Sequence, residues 1–280
     1  MKRFSLNQAT TRHWPLPDLV AGCAEAGVTG AGLWREDVQA YGVERAAALI
    51  RDAGMTVTSL CRGGFFQQSG WEEENRRAID EAATLGAPAL VLVSGGLPAG
   101  SRDIDAARAH VGEAIGRLVP YALDAGVQLA VEPLHPMFAS DRCVVASLRQ
   151  ALDLAAPYPA ETVGVVVDTY HLWWDDGVWD QIARAGRERR IACFQVADWV
   201  TPLPAGVLLG RGLPGTGCVE LRRFREAVDA AGYTGPIEVE VFAEEVWARP
   251  GADVLREALA GYRSHVAELP APVEEDDRAP

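Results

Sequence analysis

Lysine is all but missing from this chain. Lys2 is the single one in 280 residues, so nearly all of the basic charge is arginine. Schiff-base aldolases, pyridoxal-phosphate enzymes and Walker-type nucleotide sites each need a lysine held in the active site. A lysine at the second position cannot serve, so these classes are excluded, and neither pyridoxal phosphate nor a nucleotide cofactor is expected. Cysteine is sparse too: Cys23, Cys61, Cys143, Cys193 and Cys218 are widely spaced, odd in number and form no CxxC pair. They read as the reduced thiols of a cytoplasmic protein, not as a disulfide frame or a zinc cluster. No apolar run reaches the ~18 residues of a membrane span. No apolar stretch follows the basic pair Lys2 and Arg3, so no signal peptide is expected. Net positive charge is also lacking, since 26 basic residues face 39 acidic ones for a formal charge of −13. That average field repels polyanions, and nucleic acid is not an expected partner.

What the chain does have is a regular alternation of short β-rich apolar runs and longer amphipathic ones. Strands are expected at Phe4–Asn7, Gly30–Trp34, Val57–Cys61, Ala89–Ser94, Val127–Glu132, Val163–Asp168, Ile191–Val196 and Ile237–Val241. Helical patterns fill the intervals, from Asp18–Ala26 to a closing Val254–Leu269, several with a glycine just past the last periodic residue. Runs such as ALVLV and VGVVVD are apolar on both faces, as parallel strands beneath helices are. The expected fold is therefore α/β, a single (β/α)8 barrel over residues 1–269, followed by an acidic, disordered tail at 270–280. An open doubly wound sheet would want a glycine-rich turn after the first strand, and NQATTRHWPLP has no glycine.

In such a barrel the chemistry sits at the C-terminal ends of the strands. The fifth strand ends in VEPLHP, with Glu132 at the rim and His135 beyond it; the sixth ends in VVVDTYH, with Asp168 and His171. The seventh carries Gln195, with Asp198 just past it, and the eighth carries Glu238 and Glu240 on one face. Three carboxylates converging on one mouth repel unless a cation neutralises them, and oxygen donors of this hardness suit Mg²⁺ or Mn²⁺. Glu238 lies one layer deeper, where an ion pair with a buried arginine competes with catalysis, and it is left out of the expected site.

VEPLHP, VVVDTYH, FQVADW, GRGLPGTG and GYTGPIEVEVF, each at or after the appropriate strand, make the chain resemble the xylose-isomerase-like TIM-barrel superfamily. Its sugar isomerases and epimerases bind one divalent metal, Mn²⁺ or Mg²⁺. The resemblance implies Glu132, Asp168, Gln195 and Glu240 as metal ligands and His171 and Arg211 as substrate contacts. Glu132 and Glu240 would also be the acid/base groups that move a proton next to a carbonyl through an enediolate. It further implies a small carbohydrate substrate and a homo-oligomer, dimer or tetramer. The superfamily also includes endonuclease IV, whose trinuclear zinc site needs more histidines than the five present here.

Aromatic residues crowd the same loops, including Trp34, Phe66, Trp174 and Trp199. Trp34 and Phe66 are expected to wall the substrate, and His135 to touch it. This wall tilts the expectation from a three-carbon substrate toward a larger sugar, cyclitol or glycoside. Arg12, Arg35 and Arg62 follow the first three strands and could bind an anion or pair with nearby loop acids; an unphosphorylated substrate is favoured. Two other readings start from the same residues: a lyase or dehydratase working by β-elimination on a keto-glycoside or inosose, and a non-catalytic sugar-binding or partner-subunit barrel.

Overall fold

The run Ala89–Val93 is buried at every position, as is Val163–Asp168, because helices cover one side of each strand and the barrel interior covers the other. In the computed structural model, which describes residues 3–204 and 207–267, these runs belong to a closed parallel barrel. Its strands are β1 (Phe4–Asn7), β2 (Gly30–Trp34), β3 (Thr56–Gly64), β4 (Ala89–Val93), β5 (Gln128–Val131), β6 (Val163–Asp168) and β7 (Ile191–Val196). A two-stranded antiparallel ribbon follows, β8 (Asp198–Trp199) with β9 (Arg211–Gly212), and then the last barrel strand, β10 (Ile237–Val239). β10 lies between β7 and β1 and closes the ring.

Eight long helices pack outside the ring, from Leu16–Glu25 to Gly251–His265. Local chemistry sets their ends. The helix Ile104–Ala125 starts where the Asp103 side chain accepts the N–H of Ala106, and it stops at Gly126 in the left-handed conformation. Among the described residues three short α-helices follow strand ends: Arg35–Tyr41 and Thr169–Leu172 directly after β2 and β6, and Glu244–Trp247 after four intervening residues beyond β10. Sequence periodicity does not anticipate them, since one or two turns leave too short a repeat to see. No helix among the described residues is long and apolar enough to cross a membrane. The expected acidic tail at 270–280 lies outside the described residues.

The register places the site. Asp168 pairs with Gln195 across β6 and β7, and Gln195 pairs with Glu238 across β7 and β10. These three polar residues are therefore lateral neighbours on adjacent strands, and Glu240 lies two residues beyond Glu238 toward the mouth. Gly32 on β2 makes room for the deeper carboxylate, because a Cβ there would lie 2.4 Å from the Glu238 carboxyl carbon.

Candidate metal and substrate site

Glu132 leaves the end of β5, Asp168 ends β6, Gln195 lies near the end of β7 and Glu240 follows β10. Neighbouring strands thus bring all four to the C-terminal mouth, where none is more than 6% exposed. One donor atom each from Glu132, Asp168 and His171 lie within 4.8 Å of one another, close enough for a single ion.

Arg211 stands among these groups. Its Nη1 donates to Glu240 Oε2 at 2.7 Å and to Asp168 Oδ2 at 3.2 Å, and its Nη2 lies 3.0 Å from His171 Nε2. The arginine arrives on β9, and one aspartate fastens that ribbon: Asp198 accepts the backbone N–H groups of Trp199, Gly215 and Val219, each at 2.9 Å. Sequence analysis marks Asp198 only by its position after β7; this role depends on a loop whose path periodicity does not encode.

His171 Nδ1 lies 3.2 Å from the backbone N–H of His135 and Nε2 lies 3.0 Å from Arg211 Nη2; both neighbours are donors, and a neutral ring accepts from one of them. Burial, then the charge of Arg211, hold this imidazole well below its usual range and keep it neutral. His135 itself is half-buried against Trp174 and Trp199 and is not among the residues lining the cavity above the mouth. Its visible contribution is the backbone N–H that orients His171.

The deeper layer explains the direction of Gln195. Glu238 accepts from Asn7 Nδ2 at 2.7 Å, Thr58 Oγ1 at 2.7 Å and Ser59 Oγ at 2.9 Å, and also from Gln195 Nε2 at 2.9 Å. Among the described residues no arginine pairs with it, so neutral donors replace the ion pair considered from sequence. The Glu238 oxygens accept from all of these donors, so the Gln195 amide turns its NH2 toward them. The Gln195 Oε1 atom is left buried with no hydrogen-bond partner.

Burial raises the carboxyl groups of the mouth. Glu132 is pushed well up by burial and then by Glu240 and Asp168; Asp168 is raised by burial against the opposing pull of Arg211. Burial lifts Glu240 to about 7, although Arg211 works in the other direction. Three carboxylates facing one guanidinium leave an excess of negative charge, and a divalent cation would relieve it. The partnerless amide oxygen completes a set of hard oxygen donors. This mouth therefore suits a divalent metal ion, with Glu132, Asp168 and His171 the three whose donor atoms lie within 4.8 Å of one another.

A pH dependence follows for the metal-free protein. The folded chain holds the Glu240 proton up to about pH 7, whereas the ordinary value is 4.5. The stabilisation from this group is thus complete below pH 4.5 and is lost as pH rises through 7. In EDTA, Tm is expected to fall by about 5 °C from pH 5 to pH 8. Glu240→Gln should flatten this slope, and Mg²⁺ should restore Tm at the higher pH. Thermal melts that are insensitive to both changes would contradict the assignment.

Above the mouth opens a cavity of about 850 Å³ lined by Glu132, His171, Arg211, Glu240, Trp34 and Phe242, among others. Trp34 is held by its Nε1, which donates to Asn7 Oδ1 at 2.9 Å, and by an edge-to-face contact with Phe242. Phe66 departs from expectation. It is 1% exposed, packs edge-on against Trp71 and does not line the cavity. β3 runs on to Gly64, whose φ of +100° turns the chain back so that the next aromatic pair splits: Phe65 stays half-buried and Phe66 enters the core.

A parallel barrel with buried carboxylates gathered at its C-terminal rim defines a class of (β/α)8 proteins that work at that rim. Residues 20–265 match the family model described as xylose isomerase-like TIM barrel, and the chain belongs to that family. It is similar to the protein SMc04130 from Sinorhizobium meliloti 1021, with 42% identity over 95% of this chain and 99% of that one and a TM-score of 0.92. Two more distant structures share the fold. The IolI protein with a bound zinc atom has 18% identity, covering 94% of this chain and 98% of that one, at a TM-score of 0.79. The 3-keto-D-glucoside 4-epimerase YcjR from E. coli, in its apo form, has 20% identity, covering 94% and 99%, at a TM-score of 0.73. Among curated proteins, none matches the chain.

Proposed function

We propose that this protein is a divalent-metal-dependent isomerase or epimerase of a keto-sugar or cyclitol, acting by proton transfer next to a carbonyl. The observation that carries the reading is the convergence of three buried carboxylates and a partnerless amide oxygen on one mouth, with Arg211 and His171 beside them. The family match and the distant likeness to a 3-keto-D-glucoside 4-epimerase support the same chemistry.

Glu132, Asp168, Gln195 and Glu240 would hold the ion. When bound, Mg²⁺ or Mn²⁺ supplies Lewis-acid stabilisation of the negative charge that builds on the carbonyl oxygen. The chain's own residues do the rest. Glu132 and Glu240 rise from strands that are not neighbours, so their carboxylates can meet the substrate from two sides. One takes the carbon-bound proton and the other returns it, which inverts a centre; one shuttling alone suffices for a 1,2-isomerisation. Glu132 suits the base role: no side-chain hydrogen bond holds its carboxylate among the described residues, and burial beside Glu240 and Asp168 raises the proton affinity of its ionised form. Arg211 Nη2 and His171 Nε2 lie 3.0 Å apart beside the carboxylates. An acceptor oxygen of the substrate beside them would take a hydrogen bond from the guanidinium and gain charge stabilisation as the proton leaves. Trp34 and Phe242 offer apolar faces to the C–H side of the substrate.

The cavity is roomier than a three-carbon substrate requires. That observation favours, as a second reading, β-elimination of an aglycone from a keto-glycoside after the same proton abstraction. Proton NMR in D₂O with Mg²⁺ tests both, using a panel of ketoses, inosose and 3-keto-glucosides. The expected result is metal-dependent deuterium uptake next to the carbonyl with a new isomer. Uptake with aglycone release supports the lyase, and no uptake with any substrate under any divalent metal refutes both.

A further inference from the structure

The cavity that holds the carboxylates also carries cationic side chains that the proposed proton transfer does not use. Arg12, Arg62 and Arg142 all line it. Arg35, which sequence analysis grouped with Arg12 and Arg62, is spoken for: it is buried in ion pairs with Glu81 at 2.5 Å and Glu74 at 2.9 Å. Arg12 lies over the Trp247 ring at 5.1 Å, and its charge bears on Asp37. The other two are different. Arg62 spreads over the Phe65 ring at 4.3 Å and reaches toward Trp34 at 5.9 Å. Its acidic neighbour is Glu36, 3.8 Å away and 64% exposed, a contact that solvent largely screens. The Arg142 side chain makes no hydrogen bond or ion pair among the described residues.

These two arginines feel each other. Burial, offset in part by Glu36, and then the charge of Arg142 draw the Arg62 guanidinium below its ordinary range. The charge of Arg142 also reaches His171, so both arginines bear on the space above the carboxylates. Two guanidinium groups lining one cavity, Arg62 against aromatic faces with only the solvent-exposed Glu36 as an acidic neighbour and Arg142 with no acidic partner among the described residues, repel each other until an oxyanion lies between them. Glu132 and Glu240 remain beneath for the reacting end of the substrate.

We propose that Arg62 and Arg142 form an anion subsite in the active cavity, and that the substrate carries a carboxylate or phosphate remote from its reacting carbonyl. This rests on the isomerase or epimerase reading and narrows it to acidic keto-sugars or sugar phosphates. It departs from the expectation of an unphosphorylated substrate if the anion is phosphate and agrees with it if the anion is a carboxylate.

The test uses the full chain freed of metal, so that phosphate is not captured by a metal ion. Inorganic phosphate, D-glucuronate and neutral D-glucose are titrated in turn at low ionic strength, followed by tryptophan fluorescence and by calorimetry. The two anions, or one of them, are expected to bind saturably in the millimolar range and glucose is not. Arg142→Gln and Arg62→Gln should each weaken anion binding about tenfold or more. Arg142→Lys should recover part of the loss. Arg149→Gln, on the exposed face of the helix Leu148–Ala155, should leave it unchanged. Binding of phosphate alone points to a sugar phosphate, and binding of glucuronate alone to a sugar acid. No saturable anion binding, or binding equal to wild type in folded Arg62→Gln and Arg142→Gln proteins, overturns the subsite. These outcomes are separable from those of the exchange assay. Exchange with neutral ketones and no anion binding removes only the subsite, whereas anion binding with no exchange on any acidic or neutral substrate removes the isomerase reading.

Discussion

Glu240→Gln is expected to keep the barrel and to lose solvent-proton exchange by about 10³-fold, and Glu132→Gln to do the same. The two substitutions preserve shape and remove charge at the two groups that bracket the mouth. At position 240 the amide oxygen can still accept from Arg211 Nη1, which now meets the carboxylate at 2.7 Å, so the ribbon carrying Arg211 has no reason to move. The ionised form of Glu240 is costly in the metal-free protein, since burial has lifted its pKa to about 7. The Tm of Glu240→Gln in EDTA at pH 8 should therefore match or exceed that of the wild type. Circular dichroism and thermal melts check the fold, and deuterium uptake by NMR checks the chemistry. The divalent-ion titration should weaken as well, because each variant removes a charged donor. Exchange retained at the wild-type rate in either variant would sink the acid/base assignment for that residue.

Glu238→Leu is expected to be severely destabilised, by about 3–5 kcal/mol, even though Glu238 takes no direct part in the proposed chemistry. Its carboxylate is the shared acceptor for Asn7, Thr58, Ser59 and Gln195. A leucine strands these donors in the barrel interior, each at a cost of about 1 kcal/mol or more. For a chain of this size the loss corresponds to a Tm lowered by about 10 °C. The milder Glu238→Gln keeps the volume, but its NH2 must face at least one of the same donors. With no carboxylate to hold its NH2, Gln195 is free to turn its amide. Mn²⁺ affinity, read by electron paramagnetic resonance, should therefore fall in a folded Glu238→Gln protein. A Tm of Glu238→Leu equal to that of the wild type would contradict the role assigned to this cage.

The barrel was legible because its strands are buried on both faces: ALVLV and VGVVVD cannot be half-exposed strands, and both fall where expected. The positions of Glu132, Asp168, Gln195 and Glu240 were legible for the same reason, since each is tied to a strand end and the parallel order fixes which end faces the mouth. What escaped lies in loops and in cross-barrel partners. Phe66 was expected on the cavity wall, and the turn at Gly64 sends it into the core. Arg142 follows β5 by more than ten residues and belongs to no periodic pattern, so nothing in the sequence brings it beside Arg62. The partners of Glu238 come from β1, β3 and β7, and their small polar side chains read equally well as surface or turn residues until the barrel is closed around them.

That cage has a consequence for how the chain must be made. Asn7 waits for a partner 231 positions downstream, and Ser59 for the same residue 179 positions downstream. Contacts of such separation are slow to form because the closure entropy of the whole intervening chain comes first. During synthesis the early strands can dock their helices, but their inward polar groups stay unsatisfied until β10 has been translated and released. Either half of this barrel made alone would enclose a row of hydrogen-bond donors or a carboxylate with Gln195 as its one remaining partner from this cage, so the protein becomes whole only with its last strand.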